Sequence, residues 1–482
     1  MRLFNYLEGI DVIKSDIRQY DAEISGVTAQ SGRVTNNCIF VCIKGSKTNG
    51  NELAYEAMTK GASFLVVEEI NDSVISSGLP YIMVENSRKA LAKMCAKHAG
   101  NPERELKLIG VTGTNGKTST CRILKEIYNC ASISAESLGT LDGGLTTPDS
   151  EDFFPLIRSM FDRGKKVVVM EVSSHALALD KLYGVKFEGG IFTNLTPEHL
   201  DFHKDMQDYC DAKAKLFANT KWGLYNADDG YSKFVCRQSN GIDYTYSVNS
   251  NSDFKAINCN YYGIDGIEYD LAVRKRKIKI RSSLSGVFNV YNTMAAASAA
   301  YLDGIDVQFI ERGIRSVKNV SGRLEKVELG DIPFSVFIDY AHTPDALENV
   351  LKCVCSFRKK GQKLTVLFGC GGDRDRSKRS VMGNIASKYA DYVIVTSDNS
   401  RTENACDIID EIMKGIDKSL PHTVIEDRKQ AIEYAIENAE EDEIILLCGK
   451  GHEDYEIGKY GKRYFSEKEI AANAVCKRFK TQ

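Results

Sequence analysis

An α/β protein of three domains is what this sequence predicts, and three observations carry that expectation. The chain has 482 residues, more than one hydrophobic core organises. Short apolar runs alternate with helical stretches along its length, in three successive blocks. The middle block opens with a glycine-rich loop between a strand and a helix, the local design of a phosphate site. Hydrophobic residues make up 43% and charged residues 27%, the balance of a soluble globular enzyme. With 63 basic and 66 acidic residues the net charge is -3, so no global positive field favours nucleic acid or an anionic membrane, and neither is expected as a partner. The start lacks a signal-peptide pattern and no run of about 18 apolar residues occurs, so a cytoplasmic protein without membrane insertion is expected. Fourteen cysteines are scattered, and Cys353 and Cys355 lack zinc-knuckle spacing; reduced, mostly buried thiols are expected.

In residues 1–102, β-rich runs at 39–43 and 64–67 flank a helical stretch at 53–60, giving a small α/β domain. The polar Asn101-Pro102-Glu103-Arg104 sets the first boundary. The second domain, 103–322, holds apolar strands at 106–111, 166–170 and 190–193 and an Ala-rich helix at 292–300, and ends at Ser321-Gly322. In 323–482, strands at 334–338, 364–368, 392–396 and 443–447 alternate with helical segments, a Rossmann-like pattern whose ligands belong at the strand C-termini.

The strand at 106–111 runs into Thr112-Gly113-Thr114-Asn115-Gly116-Lys117-Thr118-Ser119, and a helix at 121–128 follows. Glycines let backbone N–H groups approach phosphates, Lys117 supplies charge, and Thr118 offers a hydroxyl to Mg²⁺. Val111 stands where the strict P-loop pattern has its first glycine. The plainer reading, a glycine turn with a surface lysine, does not explain strand, loop, Gly-Lys-Thr and helix in that order. After the strand at 166–170 comes Glu171-Val172-Ser173-Ser174-His175, a carboxylate where phosphate-bound Mg²⁺ would sit. The next strand end carries Glu198, His199, Asp201 and His203. Acids and imidazoles repeated at two neighbouring strand ends point to catalysis over a solvated polar face.

These segments resemble the Mur ligases, as do Tyr209 to Lys213, Phe288-Asn289, Ser321-Gly322-Arg323, Asp339-Tyr340-Ala341-His342, Gly371-Gly372-Asp373-Arg374 and Gly449-Lys450-Gly451-His452-Glu453. The resemblance spans almost the whole chain in the right order. It implies a UDP-binding N-terminal domain, a central ATPase and a C-terminal domain that brings an amino acid. It implies that a carboxylate of a UDP-linked muramoyl peptide attacks the γ-phosphate of ATP and that an amine then attacks the acyl phosphate. By resemblance, Gly113, Thr114, Asn115, Gly116, Lys117, Thr118 and Ser119 hold the phosphates, Asn292 the adenine side, Arg323 the phosphate side and Asp339 the ribose side. Asn292 would otherwise be read as a helix N-cap. Lys117, Glu171, His199 and Lys213 are implied to be catalytic. Mg²⁺ would lie at Thr118, Glu171, His199 and Lys213, the last as a carbamate, with Lys215 as fallback.

Ser31, Thr146, Thr147, Ser173 and Lys181 match positions for the UDP-muramoyl substrate; Arg374, Asp398, Asn399, Arg401, Gly449 and Glu453 match the amino-acid pocket. Members that add meso-diaminopimelate as third residue carry Asp-Asn-Pro-Arg, which reads Asp398-Asn399-Ser400-Arg401 here. Arg401 is the residue type that grips a second carboxylate through two parallel hydrogen bonds. The expected partners are therefore a UDP-muramoyl-dipeptide and a diamino acid, for a monomer. Gln30, Lys181, Val287, Ser321 and Ser400 depart from the family pattern. Two alternatives stay open: a Mur-type amide ligase with lysine, another amino acid or another acceptor, and a non-catalytic nucleotide-binding paralogue.

Overall fold

Apolar runs without polar alternation make strands that must be covered on both faces, and such strands pair in parallel. Val167–Glu171, Leu364–Phe368 and Ile444–Cys448 are buried at every position and sit inside parallel sheets. The computed structural model describes residues 1–17, 22–45, 48–142 and 145–480 and contains three such sheets in succession.

The first sheet runs Val12–Asp16, Tyr81–Val84, Ala62–Val67, Cys38–Val41, Val27–Thr28, with only Val12–Asp16 antiparallel. The second has nine strands, ordered Arg276–Ser282, Ile267–Val273, Phe254–Tyr261, Ile242–Ser247, Thr220–Asn226, Phe187–Phe192, Lys107–Thr112, Val167–Glu171, Ala135–Leu138. Its first two pairings are antiparallel and the rest parallel. Lys107–Thr112 lies between two strands that both follow it in sequence, which makes its C-terminal end the switch point where an open α/β sheet takes ligands. The third sheet runs Glu325–Lys326, Ser335–Asp339, Ile444–Cys448, Leu364–Phe368, Tyr392–Val395, His422–Val424, parallel except at its first edge.

The helix after the glycine loop is Lys117–Cys130, a turn longer at its start than the apolar spacing indicates, because it begins at the loop itself. The Ala-rich helix is Val287–Leu302; its N-cap position is Gly286, so Asn292 lies inside the helix and is not its cap. Small residues also let the helices of this domain come close to one another. Gly313, on Val307–Ser316, would place a Cβ 2.4 Å from Ile127 Cα.

One apolar core joins Leu3, Phe64 and Ile82 of the first sheet region to Phe153, Val168 and Phe217 of the second. Hydrogen bonds reinforce that contact. Glu151 accepts from Ala29 N and, at 3.2 Å, from Thr28 Oγ1, while Arg33 pairs with Asp152 at 2.7 Å. Among the described residues, which include all fourteen cysteines, no disulfide forms, and no helix is long and apolar enough to cross a membrane.

Candidate active site

Two glycines shape the loop at the end of Lys107–Thr112. Gly113 has φ +144° and Gly116 φ +87°, conformations that an L side chain rarely adopts. A Cβ on Gly113 would lie 1.9 Å from Thr193 Oγ1, and one on Gly116 2.4 Å from Asn292 Oδ1. The neighbouring strand end pins the loop: Asn194 Oδ1 accepts from Asn115 N at 2.9 Å, and Thr193 Oγ1 donates to Asn115 O at 2.6 Å. Lys117 Nζ curls back onto the carbonyls of Gly113 (3.0 Å) and Thr114 (2.8 Å), leaving its charge over the loop.

Thr118 Oγ1 donates to Glu171 Oε1 at 2.9 Å. Glu171, 2% exposed, also accepts from Thr140 N at 3.0 Å and Thr140 Oγ1 at 3.2 Å. Lys213, likewise 2% exposed, lies on helix Met206–Ala214, over the Tyr209 ring, and reaches Gly113 O at 2.9 Å. Burial, and then the nearby Lys117 charge, hold its ammonium well below the usual lysine range. His199, at φ +58°, is pushed down to about 3 by burial, which outweighs the pull of Glu198. Its ring stands edge-on to His175 at 4.8 Å. Among the described residues no three His, Cys, Asp or Glu side chains converge as a metal cage. A hard ion that takes most of its oxygens from phosphate and water does not require one, and Thr118 with Glu171 offers the protein oxygens such an ion uses.

The C-terminal block closes over this centre. Arg323 Nη2 donates to Thr118 Oγ1 at 3.2 Å, His342 Nε2 meets Glu198 Oε1 at 3.1 Å, and Asn115 Nδ2 donates to Asp345 Oδ2 at 2.9 Å. Burial alone would raise the Glu198 carboxyl, but the facing His199 and His342 outweigh it and hold it below the ordinary range. Between the two blocks lies a cavity of about 590 Å³, lined by Gly116, Thr118, Ser119, Asn292, Arg323 and Asp339 among others. Among the described residues Arg323 Nε is buried there without a partner, a donor left for an oxygen from outside the chain. Asp339 carboxylate oxygens accept from Leu324 N (2.6 Å) and Ala341 N (2.8 Å).

The amino-acid side is built at the strand ends of the third sheet. Arg401, at φ +54°, directs Nη1 to the carbonyls of Gly372 (2.8 Å) and Asn399 (3.2 Å) and makes no ion pair with a carboxylate among the described residues. Burial and then the nearby Arg374 charge press its pKa down, a strain that a bound carboxylate would relieve. Arg374 itself is exposed. Asn399 Nδ2 donates to Glu453 Oε2 at 2.8 Å, and Asp398 and Glu453 are both buried or nearly so. Gly449, at φ +116°, lies so near Asp398 that a Cβ would sit 2.5 Å from Oδ2.

On the N-terminal side the expected residues converge less. Thr147 Oγ1 donates to Glu171 O (2.9 Å) and accepts from Ser173 N (2.9 Å), and Thr146 Oγ1 accepts from Thr140 Oγ1 at 3.3 Å. The Ser173 hydroxyl caps helix Ser174–Ala178. Lys181 is paired with Asp149 at 2.6 Å, and both line a smaller cleft of about 290 Å³ with Gln30 and Arg88; Ser31 stands beside Gln30, its carbonyl accepting from Lys60 Nζ at 3.1 Å. Asn115 spends its side chain on Asp345. The site also uses residues that sequence reasoning left without a role: Asp345, Asn349, Asn194 and Phe288 line the large cavity. Thr343-Pro344 at a helix start was a signal for Asp345, since Thr343 caps Pro344–Phe357; Asn194 and Phe288 stood within segments that resemble the family but had no role of their own.

A parallel sheet whose switch point carries a glycine loop, a lysine-started helix and an acidic strand end defines a P-loop-type nucleotide enzyme. Residues 111–300 match the Mur ligase middle domain, and residues 322–451 the Mur ligase glutamate ligase domain. A Clostridioides difficile protein named UDP-N-acetylmuramoyl-L-alanyl-D-glutamate--2,6-diaminopimelate ligase is 41% identical, over 99% of this chain and 100% of its own. Its namesake from Clostridium botulinum is 39% identical over 96% and 97%. A solved structure of a ligase of the same name superposes with a TM-score of 0.68 at 28% identity, covering 99% of each chain. The chain belongs to the Mur ligase family, whose members are ATP-dependent ligases.

Proposed function

We propose that this chain uses ATP and Mg²⁺ to join meso-diaminopimelate to UDP-N-acetylmuramoyl-L-alanyl-D-glutamate, in the synthesis of a cell-wall precursor. Residues 1–102 hold the uridine end, 103–322 the ATP and 323–482 the amino acid. The observation that carries the choice of amino acid is Arg401, a guanidinium fixed by two carbonyls and lacking a carboxylate of its own. A diamino diacid brings that carboxylate; lysine does not.

Lys117 and Arg323 neutralise the phosphates as the substrate carboxylate attacks, and the glycine loop keeps both reactants in line. Thr118, Glu171 and His199 would hold Mg²⁺, which would supply further charge neutralisation at the phosphates. In its unprotonated form the Lys213 amine adds to CO₂: a nitrogen–carbon bond forms as one carbon–oxygen π bond opens, a proton passes to water, and the product is an anionic carbamate, where a protonated lysine would repel a metal ion. Asn399 and Glu453 orient the incoming amino acid, whose amine displaces phosphate from the acyl phosphate.

The test is phosphate release by the purified chain with ATP and the UDP-linked dipeptide, across diaminopimelate, lysine and a sulfur-containing diamino diacid. Diaminopimelate should give the highest kcat/KM. Preference for lysine would overturn the substrate assignment, and normal turnover by folded Lys117→Ala would overturn the assignment of the glycine loop.

A further inference from the structure

Strand Ile444–Cys448 ends in Gly449-Lys450-Gly451, a turn pressed against its neighbours. A Cβ on Gly451, at φ +56°, would lie 2.6 Å from the Tyr340 Cβ, and Gly449 is equally confined by Asp398. The side chain between them turns inward. Lys450 is 0% exposed and Nζ donates to Asn399 Oδ1 and to Tyr455 O, each at 3.0 Å. Two carboxylates face the ammonium, Asp398 at 4.0 Å and Glu453 at 3.9 Å.

Asn399 Oδ1 also accepts from Ile457 N at 2.8 Å, so both of its lone pairs meet donors. Flipping the amide would set its NH₂ against an ammonium and an N–H. The orientation is therefore fixed, and Nδ2 must point at Glu453 Oε2. One buried cation thus sets two side chains on two different loops.

We propose that Lys450 is a positioning residue for amino-acid selection: it locks the Asn399 amide and, through it, holds Glu453 in place as an oriented acceptor for the second ammonium group of a diamino acid. The proposal rests on the substrate reading above. The Glu453 carboxyl is raised overall, and Lys450 and Asn399 limit the rise. Burial and then Asp398 raise the Glu453 carboxyl, while the Asn399 hydrogen bond, Lys450 and His342 draw it down; Tyr340, Tyr455 and Arg401 complete its surroundings. Removing Lys450 lets the carboxyl rise further, so more acceptor is lost as pH falls.

Steady-state kinetics of the full chain, with diaminopimelate varied at saturating ATP and UDP-linked dipeptide, test this with Lys450→Met and Lys450→Gln. Loss of an oriented, charge-assisted contact should raise KM for diaminopimelate about tenfold in Lys450→Met, with kcat and the KM for ATP nearly unchanged. Lys450→Gln keeps a donor and should recover part of that loss. Both variants lack the charge, so in both the acid-side rise of KM should move to higher pH. Binding of a fluorescent ADP analogue reports that the site is folded, and if Lys450→Met fails that check, Lys450→Gln decides alone. A folded variant with wild-type KM and an unmoved pH profile overturns the proposal, as does a fall in kcat at constant KM. Wild-type enzyme that ignores diaminopimelate overturns the substrate reading instead.

Discussion

Lys213 and Lys450 are both fully enclosed lysines at the C-terminal edges of parallel sheets, yet their surroundings are opposite. Lys213 faces a backbone carbonyl, a tyrosine ring and the like charge of Lys117. Lys450 faces an amide oxygen, a carbonyl and two carboxylates. At Lys213 burial and the Lys117 charge outweigh the pull of Glu198, whereas two carboxylates stand within 4.0 Å of the Lys450 Nζ. The difference separates the two proposed roles: the first pocket suits an amine that reacts, the second a strut that stays fixed. Neither function follows from lysine as a residue type.

The comparison breaks most sharply at Lys213. Lys213→Ala should lower turnover by about a hundredfold or more, the scale of losing one preorganised charge partner, and short-chain carboxylic acids should restore part of it. Lys213→Arg places a permanent cation there that cannot react with CO₂ and should be as inactive as the alanine variant. High activity of the arginine variant in the same phosphate-release assay would remove the carbamate.

On the amino-acid side, Arg401→Ala should reduce kcat/KM for diaminopimelate by roughly 30-fold to several thousandfold, the range for breaking a buried charge pair, while leaving ATP binding intact. An unchanged value would mean that the guanidinium never meets substrate. Gly113→Ala probes the rigid frame shared by Lys117 and Lys213, because both reach the Gly113 carbonyl. Its φ and the Thr193 clash should cost about 1–3 kcal/mol, read as a lower Tm and a weaker stabilisation by nucleotide.

The smallest effect concerns pH. His452 is pushed down to about 4 by burial and then the Arg323 charge, so below pH 6.5 the unfolded chain binds a proton that the folded chain refuses. Its contribution to stability is present above pH 6.5 and is lost as pH falls toward 4. After discounting for partial solvent screening, replacing it with Asn should flatten the acid-side fall of stability by about 1–2 kcal/mol, measured by denaturant unfolding at several pH values. An identical slope in wild type and variant would place the acid sensitivity elsewhere.

Much of this was legible in the chain. Apolar runs at 106–111, 166–170, 364–368 and 443–447 correspond to central strands, since a strand covered on both faces needs no information beyond its own side chains. The glycine loop was legible for the same local reason: a positive φ leaves its mark as glycine. Less local features were not. The antiparallel extension of the second sheet, Phe254–Tyr261 to Arg276–Ser282, shows only half-buried alternation, and Glu467–Lys480 mixes apolar and charged residues too evenly to stand out. Asn292 was open to reading as a cap because the residue type suits one, but the helix begins at Val287, with Gly286 at its N-cap position. Lys181 looked free for substrate until Asp149 came within 2.6 Å of it.

By itself, then, the sequence determined the α/β class, the order of the strands along the chain and the residue types at each strand end, all set by interactions within a few residues. Only the tertiary structure decided which of those ends face one another. Arg323 meets Thr118 across 205 positions and Asn115 meets Asp345 across 230, and it is such distant contacts that set the burial and local charge of each ionisable group.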